Sequence, residues 1–284
     1  MALIFDQILS LTNNELGRHD VACPECGPEK QKKASQKREV LRIWLKEDFA
    51  SFKCARCDLA GYAFAAQSRA SIQPTRLGKF TQTEENDTPE RQRSKAQWLW
   101  SKATAIGSTP AANYLRARGI GCTLPSTLRY LRPRKAEHHH ALIAPFALAS
   151  EPEPGALHVA EKHIYGIHLT LVAADGKGKA GTERDKIMIG PSNGWPIILA
   201  PPNDGLAMGI AEGIETALSM HMQTGIGVWA AGCAGRLPAI ADKIPDHIEA
   251  VTIAAEDDPA GQRGALQLYE RLHARGIEVR MTDA

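Results

Sequence analysis

Two groups of acidic residues stand where chemistry on phosphates could take place. Each group directly follows a short apolar run in the last third of the 284-residue chain. Carboxylates that lie close together disfavour one another's ionised form unless a cation lies between them. Mg²⁺, or Mn²⁺ in its place, binds to oxygen ligands of this kind together with substrate phosphates. The candidate ligands are Glu212 and Glu215 in the first group and Glu256, Asp257 and Asp258 in the second.

The elements that position these acids alternate between strand and helix. Leu206–Ala211 and His247–Ala255 are predicted strands, and each is followed by residues with helical spacing. Such alternation predicts a parallel sheet with helices on its faces. Because the carboxyl ends of parallel strands meet at one edge, we expect Glu212, Glu256 and Asp258 to lie close together. The other predicted elements are strands at Gly225–Ala231 and Ile277–Met281 and helices at Ile214–Met220, Leu237–Lys243 and Pro259–Arg275.

A simpler interpretation of the acids does not involve a metal. Carboxylates near helix N-termini are favourable because they interact with the helix dipole. Either acidic group alone fits this interpretation as well as it fits a metal site. Two groups at the corresponding ends of two strands favour the metal site.

The cysteines of the amino-terminal region predict a second, different metal site. Cys23-Pro-Glu-Cys26 and Cys54-Ala-Arg-Cys57 are separated by 27 residues. Two Cys-x-x-Cys pairs are typical of a tetrahedral Cys₄ zinc site, whose four protein ligands leave no open position. We therefore expect structural Zn²⁺ bound by Cys23, Cys26, Cys54 and Cys57, with a hairpin of strands Val40–Leu45 and Phe49–Lys53 between the pairs.

Basic residues surround this hairpin. Lys37, Arg38 and Arg42 are accompanied by further lysines, and Trp44 and Phe52 are close in sequence. Basic residues with interleaved aromatics fit a surface that binds a nucleic-acid backbone and stacks on bases. A solvated loop with a small aromatic core around the zinc is the alternative, and for the aromatics it explains the sequence equally well.

The middle of the chain is strongly basic. Between Arg91 and Lys135 there are ten basic residues and no acidic ones, whereas eleven acids and six basic residues follow Leu206. A basic segment beside acidic metal ligands suits an enzyme that holds a polyanion. Its candidate contacts are Arg116, Arg118 and Arg129.

Two strands are predicted between the basic segment and the acids. They are Ala141–Leu148 and Val159–Val172, and Asp175-Gly176 marks a hairpin turn after the second. Alternation puts Tyr165, Ile167, Leu169 and Leu171 on one face and His168 and Thr170 on the other. We count His168 and Lys186 among the candidate nucleotide- or template-binding residues, while Trp98 and Tyr114 are interpreted as core residues.

The composition of the whole sequence indicates the cellular compartment but no particular partner. Its formal charge is +2 and its pI about 8.2, so composition alone indicates no partner. The apolar run Ala2–Phe5 is too short for a signal peptide, and no stretch has the length of a membrane span. Paired cysteines of this kind are typical of a cytoplasmic metal-binding protein, so we expect a cytoplasmic protein without membrane contact.

The acidic motifs resemble those of a known family. Glu212-Gly-Ile-Glu215 followed by Thr-Ala-Leu, and Glu256-Asp-Asp258 followed by Pro-Ala-Gly, are similar to the Toprim domain of bacterial, phage and plasmid DNA primases. The segment Thr109–Ile120 resembles the region before Toprim in phage and plasmid primases and primase-helicases. One position departs from the family pattern, because Glu256 stands where an Asp is usual. Either Glu256 or Asp257 could therefore be the ligand.

The resemblance implies a fold in four parts. Residues 1–64 would form a zinc-ribbon domain that binds nucleic acid, and residues 65–90 a flexible linker. Residues 91–204 would form a basic, mixed α+β subdomain, and residues 205–284 a Toprim catalytic domain with a Rossmann-like parallel sheet and helices on both faces. The expected fold class is therefore α/β.

The resemblance also implies a function. The chain would be a DNA primase that makes short RNA primers on single-stranded DNA from ribonucleoside triphosphates, with a replicative helicase as a further partner. Glu212, Glu256 and Asp258 would be catalytic, and Mg²⁺ would be held by these residues with Glu215 and Asp257. This activity belongs to the replication of a phage, plasmid or other mobile element.

Two other functions fit the same motifs. A non-catalytic recombination mediator also joins a Cys₄ zinc element to a Toprim fold, and some Toprim proteins are nucleases. Relatives usually continue beyond the last predicted strand with further acids, so we also expect that the sequence is a fragment of a longer protein.

Overall fold

The chain folds into two compact units, Met1–Phe80 and Thr81–Ala284, each with its own core. The structure is a computed structural model and describes residues 3–27, 36–57, 59–65, 88–202 and 205–283. Most of the predicted linker, residues 66–87, lies outside the described residues. In the described part of the chain, no helix is long and apolar enough to span a membrane.

The amino-terminal unit is a four-stranded antiparallel sheet with one short helix. Helix α1 is Phe5–Leu11, and the strands β1 to β4 are Gly17–Ala22, Glu39–Leu45, Phe49–Cys54 and Ala60–Phe64, in that spatial order. Leu41, Ile43 and Phe52 are buried on one face of the sheet together with Ile8 of α1. The predicted hairpin is confirmed as β2 and β3.

The second unit begins with two capped helices. Helix α2, Pro89–Ser101, has Thr88 as its N-cap, and helix α3, Pro110–Ala117, has Thr109. In each helix the cap side chain accepts a backbone hydrogen bond, and proline fills the first position, where no donor is needed. The sequence predicts this helix from Pro89 to about Ala105, but α2 ends at Ser101 and Thr104–Ala105 forms a short strand, β5.

A five-stranded antiparallel sheet follows these helices and is called the middle sheet. Its spatial order is β11, β10, β7, β6, β5. Strands β8 and β9 form a separate small hairpin. The bounds are β6 Arg129–Leu131, β7 His140–Phe146, β8 Ser150–Glu153, β9 Ala156–His158, β10 Gly166–Val172 and β11 Lys186–Ile189.

The predicted strand Val159–Val172 was too long. A 3₁₀ turn at Glu161–His163 interrupts it, and the strand begins only at Gly166. The turn after this strand was predicted at Asp175-Gly176, and Gly176 does adopt a positive φ of 72°. A side chain at Gly176 would collide with Pro110 and Asn113, so this turn packs directly against the start of α3.

Both faces of the middle sheet are covered. Alternate residues of β7 and β10, such as Ile143 and Leu169, pack against α2. The other set, represented by Leu142 and Phe146, packs against α3 and the carboxyl-terminal sheet. The two faces are called the α2 face and the α3 face.

The carboxyl-terminal sheet is mixed and not wholly parallel. Its spatial order is β12, β14, β13, β15, β16; β12 is antiparallel to β14, and the other pairs are parallel. The sequence interpretation began this sheet at Leu206 and therefore missed β12. The elements are β12 Ile197–Ala200, β13 Ala207–Ala211, α4 Ile214–Thr224, β14 Gly227–Ala230, a 3₁₀ segment Ala234–Lys243, β15 Ala250–Ala255, α5 Pro259–Ala274 and β16 Glu278–Asp283.

Helices cover both faces of the carboxyl-terminal sheet, as predicted. Helix α4 packs into a core shared with α3 and the middle sheet. Helix α5 and the 3₁₀ segment pack against the opposite face through residues such as Leu237 and Leu268. The middle sheet and the carboxyl-terminal sheet consequently share one core within one compact unit.

Candidate active site and zinc centre

The two acidic groups lie at the same edge of the carboxyl-terminal sheet. Strands β13 and β15 are parallel neighbours, and Ala211 pairs with Ala254 at their ends. Glu212 follows the first strand directly, and Glu256 follows the second. The pairing therefore brings the acids together although they are separated by more than 40 residues in sequence. This edge, with Glu212, Glu256 and Asp258, is called the acidic rim.

Glu212 is the most strongly perturbed acid of the rim. Its burial, and then the nearby charge of Glu256, raise the pKa of Glu212 from 4.5 to about 7. Asp258 raises the pKa further, whereas Lys186 and a hydrogen bond from the backbone of Ala234 lower it. The carboxylates are thus close enough to repel one another.

Asp258 is held in place by the helix that follows it. It is the N-cap of α5, and its Oδ1 accepts hydrogen bonds from the backbone N–H groups of Ala260 at 2.9 Å and Gly261 at 2.7 Å. A side chain at Gly261 would collide with the carbonyl oxygen of Glu256, so the turn between the two acids is tight. Capping therefore fixes Asp258 by one oxygen.

Glu256 and Asp257 differ in their surroundings. Glu256 is half-buried and acts electrostatically on Glu212. Asp257 is exposed, and both acids line an open cleft of about 560 Å³ together with Asp283 at the end of β16. Of the two alternatives left open by the sequence, Glu256 is the one that lies beside Glu212.

Glu215 differs from the other acids because it already has partners. The hydroxyl of Tyr114 in α3 donates a hydrogen bond of 2.6 Å to Glu215 Oε1. Burial by itself raises the pKa of Glu215, but Lys186 and the Tyr114 hydrogen bond outweigh it and hold the pKa below its ordinary value. Burial and the charge of Glu215 raise the pKa of Tyr114 in turn.

The position of Gly213 shows how closely these groups converge. A Cβ atom at Gly213 would lie 3.5 Å from Glu215 Oε2, 3.8 Å from Glu256 Oε1 and 3.9 Å from Lys186 Nζ. Lys186 therefore lies close to both acidic groups. Sequence reasoning missed Tyr114, because only the packing of α3 on α4 brings its hydroxyl to Glu215.

Further basic residues lie near Lys186 and Glu215. Partial burial, and then the charges of Lys186 and Arg118, lower the pKa of Lys179. Arg118 follows α3, Lys179 follows the turn at Gly176, and Lys186 begins β11. The contact between this turn and α3 brings them together. These three residues are called the basic cluster, of which the sequence predicted Arg118 and Lys186.

The other predicted contacts are not all at this site. Arg116 is exposed and donates a hydrogen bond of 3.0 Å to Asn113. The guanidinium of Arg129 lies 4.2 Å from the centre of the Trp100 ring, on the α2 face of the middle sheet. Arg129 is therefore separated from the acidic rim by that sheet.

The prediction that His168 contacts nucleic acid or nucleotide is corrected by its burial. His168 lies on the α3 face and is only 2% exposed, because both faces of β10 are covered. Burial, and then the charge of Lys186, lower the pKa of His168 to about 4. The ring packs edge-on against Phe146 with centroids 6.3 Å apart. His168 is therefore a neutral interior residue and does not reach an external polymer.

The acidic rim has the donor chemistry that Mg²⁺ requires. It offers hard carboxylate oxygens from two strand ends, and their mutual repulsion would be relieved by a divalent cation. Mg²⁺ usually keeps several waters and takes only one or two protein carboxylates, so it does not need all three acids as direct ligands. Glu212, Glu256 and Asp258 would hold it.

The four cysteines of the amino-terminal unit form a compact cluster. The Sγ atoms of Cys23, Cys26, Cys54 and Cys57 all lie within 4.8 Å of one another. The Cys23–Cys57 and Cys26–Cys54 sulfur pairs are both 3.8 Å apart. Zinc–sulfur bonds of about 2.3 Å in tetrahedral geometry place sulfurs about 3.8 Å apart, so the spacing fits zinc and is too long for disulfides.

The turns around the cysteines are also those of a metal site. The N–H of Gly27 donates to the carbonyl of Cys23, and a side chain at Gly27 would collide with that carbonyl at 2.6 Å. The N–H of Arg56 donates to Cys54 Sγ at 3.3 Å. The N–H that donates to Cys54 Sγ would stabilise a thiolate at a bound metal.

The exposed face of the amino-terminal sheet combines basic and aromatic side chains. Trp44, Tyr62 and Phe64 are 39%, 71% and 43% exposed, and Phe49 stacks on Tyr62 with centroids 5.8 Å apart. The aromatics next to the hairpin are thus largely on the surface, whereas Phe52 is buried. The predicted basic residues Lys37 and Arg38 are exposed, while Arg42 forms a two-pronged ion pair with Asp20 at 2.8 Å.

Comparisons with known families match two segments of the chain. Residues 207–284 match the Toprim domain family. Residues 90–199 match a family described as a domain of unknown function (DUF7146). A comparison with curated proteins gave no match.

The chain is similar, at low sequence identity, to several solved structures of primases. The Aquifex aeolicus primase, with its zinc-binding and RNA polymerase domains, is 14% identical with a TM-score of 0.40, over 98% of this chain and 76% of that chain. The primase fragment of the bacteriophage T7 primase-helicase is 12% identical with a TM-score of 0.37, over 92% of this chain and 88% of that chain. A DNA primase domain from Pseudomonas aeruginosa is 11% identical with a TM-score of 0.39, over 68% and 70%.

The segment that matches the Toprim family is the one that contains the acids at the strand ends. The matched residues begin with β13 and include Glu212, Glu256 and Asp258. Residues 207–284 are therefore assigned to the Toprim domain family.

Proposed function

We propose that this chain is a DNA primase that joins ribonucleotides on a single-stranded DNA template. The observation that carries the proposal is the convergence of Glu212, Glu256 and Asp258 at one edge of a Toprim sheet, with Lys186 beside them. Acids for a metal next to basic groups for phosphates are what nucleotidyl transfer needs. The reaction class is thus a metal-dependent nucleotidyl transfer.

Each part of the site would have a separate role. Mg²⁺, when bound, would activate the attacking 3′-hydroxyl and neutralise charge that develops on the α-phosphate and on the leaving pyrophosphate. Glu212, Glu256 and Asp258 would hold it at the end of the sheet. Lys186, Lys179 and Arg118 would contact the triphosphate, because Lys186 acts on Glu212 and the other two lie near Lys186.

Glu215 would act differently from the other acids in this scheme. It is already stabilised by the nearby charge of Lys186 and hydrogen-bonded by Tyr114. We therefore assign it the role of orienting Lys186 in preference to that of a direct metal ligand. The proposed template contacts in the amino-terminal unit are Lys37, Arg38 and the exposed aromatics of its sheet.

Primer synthesis from labelled ribonucleotides on single-stranded DNA tests the proposal. Glu212→Gln and Asp258→Asn keep the size of each side chain, and Asn can still cap a helix. We expect each to lower synthesis by about a hundredfold or more, since each removes a negative charge from the metal site. Glu270→Gln, at an exposed position of α5, is the matched control and should be fully active.

Other outcomes would assign another function. Undiminished synthesis by both rim variants would reject the metal role. DNA binding without incorporation, in Mg²⁺ or in Mn²⁺, would indicate the recombination mediator. Strand cleavage that requires Glu212 would indicate a nuclease.

A further inference from the structure

A second cavity lies on the α2 face of the middle sheet, away from the acidic rim. It has a volume of about 310 Å³ and lies between α2, the strands β7, β10 and β11, and the loop after β6. This volume is at the lower end of the range for ligand pockets, which is roughly 300–1,000 Å³. The middle sheet separates this cavity from the rim, so nothing in the proposed nucleotidyl transfer uses it. It is called the α2 pocket.

The floor of the α2 pocket is almost entirely aliphatic. Strand and helix residues contribute aliphatic side chains, most of which are only partly buried. Trp98 stands at the edge and is 47% exposed, although the sequence interpretation had placed it in the core. The aliphatic side chains are Leu99, Leu131, Ala141, Leu169, Leu171 and Ile187. Water gains few hydrogen bonds at such a floor, so an apolar occupant is favoured there.

The opening of the α2 pocket is positively charged. Lys102, Arg132 and Arg134 lie at the opening. Among the described residues that line the pocket, Glu137 is acidic. Glu137 is itself paired with Lys135 at 3.6 Å. An adjoining hollow of about 630 Å³ shares Arg134 with the α2 pocket and adds further basic and histidine side chains. A negatively charged occupant is therefore favoured at the opening.

We propose that the α2 pocket is a docking site for an acidic peptide segment of a partner protein. One apolar side chain of the segment would enter the pocket, and its flanking Asp or Glu residues would meet Lys102, Arg132 and Arg134. Apolar anchors in desolvated pockets supply most of the affinity at such interfaces, and rim charges mainly increase specificity and association rate. This site is independent of the proposed primase activity.

Single-stranded nucleic acid fits the α2 pocket less well, although it is also negatively charged. The edges of a nucleobase carry donors and acceptors, which would lose their hydrogen bonds against a floor of Leu, Ile and Ala. Base stacking needs an open aromatic face. Here the guanidinium of Arg134 already lies over the Trp98 ring, 5.2 Å from its centre.

The test uses the full chain and a short labelled synthetic peptide in which aspartates flank one phenylalanine. Binding is followed by fluorescence anisotropy. We expect replacement of the phenylalanine by serine to weaken binding by about tenfold or more. Exchange of the aspartates for lysines should abolish binding, and added salt should weaken it because the opening of the pocket is exposed.

Variants of the chain locate the peptide. Trp98→Ala and Lys102→Glu should each weaken binding several-fold, and their combination by about tenfold or more. Both side chains are on the surface, so circular dichroism should show an intact fold. Lys162→Glu makes the same charge change at an exposed site outside the pocket and should leave binding unchanged.

Three results would overturn the proposal. The first is that the peptide does not bind, or that it binds equally well to the Trp98→Ala/Lys102→Glu protein. The second is that an oligothymidylate competes for the pocket and itself loses affinity in that double variant, which would make the occupant nucleic acid. The third is self-association, measured by sedimentation, that disappears in the double variant, which would make the occupant a second copy of this chain.

Discussion

At the scale of single residues, Glu212 has a protonation that depends on its neighbours. Its pKa of about 7 results from burial and from the charges of Glu256 and Asp258. Between pH 4.5 and about pH 7, Glu212 in the folded, metal-free protein therefore keeps a proton that the unfolded chain has released. Stability must then fall as the pH rises through this window, and the loss is complete above it.

This linkage predicts the behaviour of Glu212→Gln without any activity assay. In metal-free buffer at about pH 8 the variant should be more stable than the original chain by about 1–3 kcal/mol, and the difference should shrink toward about pH 5. Thermal unfolding measured by circular dichroism checks it. Mg²⁺ should raise the melting temperature of the original chain and not that of the variant. A difference that is independent of pH would contradict the environment described for Glu212.

The hydroxyl of Tyr114 forms a hydrogen bond that joins α3 to Glu215 in α4. Tyr114→Phe removes the hydroxyl that donates to Glu215 at 2.6 Å and leaves the ring packing in place. We expect a loss of about 1–2 kcal/mol, since a partly buried carboxylate loses a charge-assisted partner. Urea unfolding measures this loss. Tyr269→Phe, which keeps its stacking on His273, is the control and should be neutral.

At the scale of elements, the position of α5 decides where Asp258 stands. Helix α5 approaches the 3₁₀ segment so closely that a Cβ atom at Gly264 would lie 2.3 Å from the carbonyl oxygen of Ala234. Ala234 is also the residue whose N–H binds Glu212. The same close contact therefore supports both sides of the acidic rim.

Gly264→Ala should consequently separate α5 from the 3₁₀ segment. We expect destabilisation by about 1–3 kcal/mol, as for overpacking of a core, despite the better helix propensity of alanine. Thermal unfolding and Mg²⁺ titration should both register the change. Gln267→Ala, on the exposed side of the same helix, should be neutral or slightly stabilising. If the two variants were equally stable, α5 and the 3₁₀ segment could move apart at little cost, which would contradict the prediction.

At the scale of the whole molecule, the chain has two units with separate cores. The cysteine cluster belongs to the core of the amino-terminal unit, which contains residues such as Leu41 and Phe52. The Toprim domain and the middle sheet share a different core in the other unit. If zinc binds this cluster, loss of the metal can therefore unfold the amino-terminal unit while the other unit stays folded.

Loss of zinc should therefore act on one unit only. Cys26→Ser should lower the zinc content from one atom per chain toward zero and make residues 3–65 sensitive to proteolysis. The melting transition of the larger unit should not change. Cys122→Ser, outside the cluster, is the matched control and should keep its zinc. Retention of zinc by Cys26→Ser would contradict the four-cysteine site.

Several features could be predicted from local sequence alone. Cys-x-x-Cys spacing indicates a metal site because the two sulfurs of each pair belong to one turn. Thr109, Pro110 and Gly119 mark the ends of α3 because caps act through neighbouring backbone groups. The acids at the ends of β13 and β15 could be placed at one edge because parallel neighbouring strands leave little choice.

Other features were decided only by tertiary packing. Alternation in β10 suggested one exposed face, but α3 and the Toprim domain cover it, so His168 became an interior residue. Tyr114 looked like any other core aromatic until α3 met α4 and its hydroxyl reached Glu215. Local residue types determined which groups could do chemistry, and long-range contacts determined which of them meet, because burial and charge depend on neighbours that are distant in sequence.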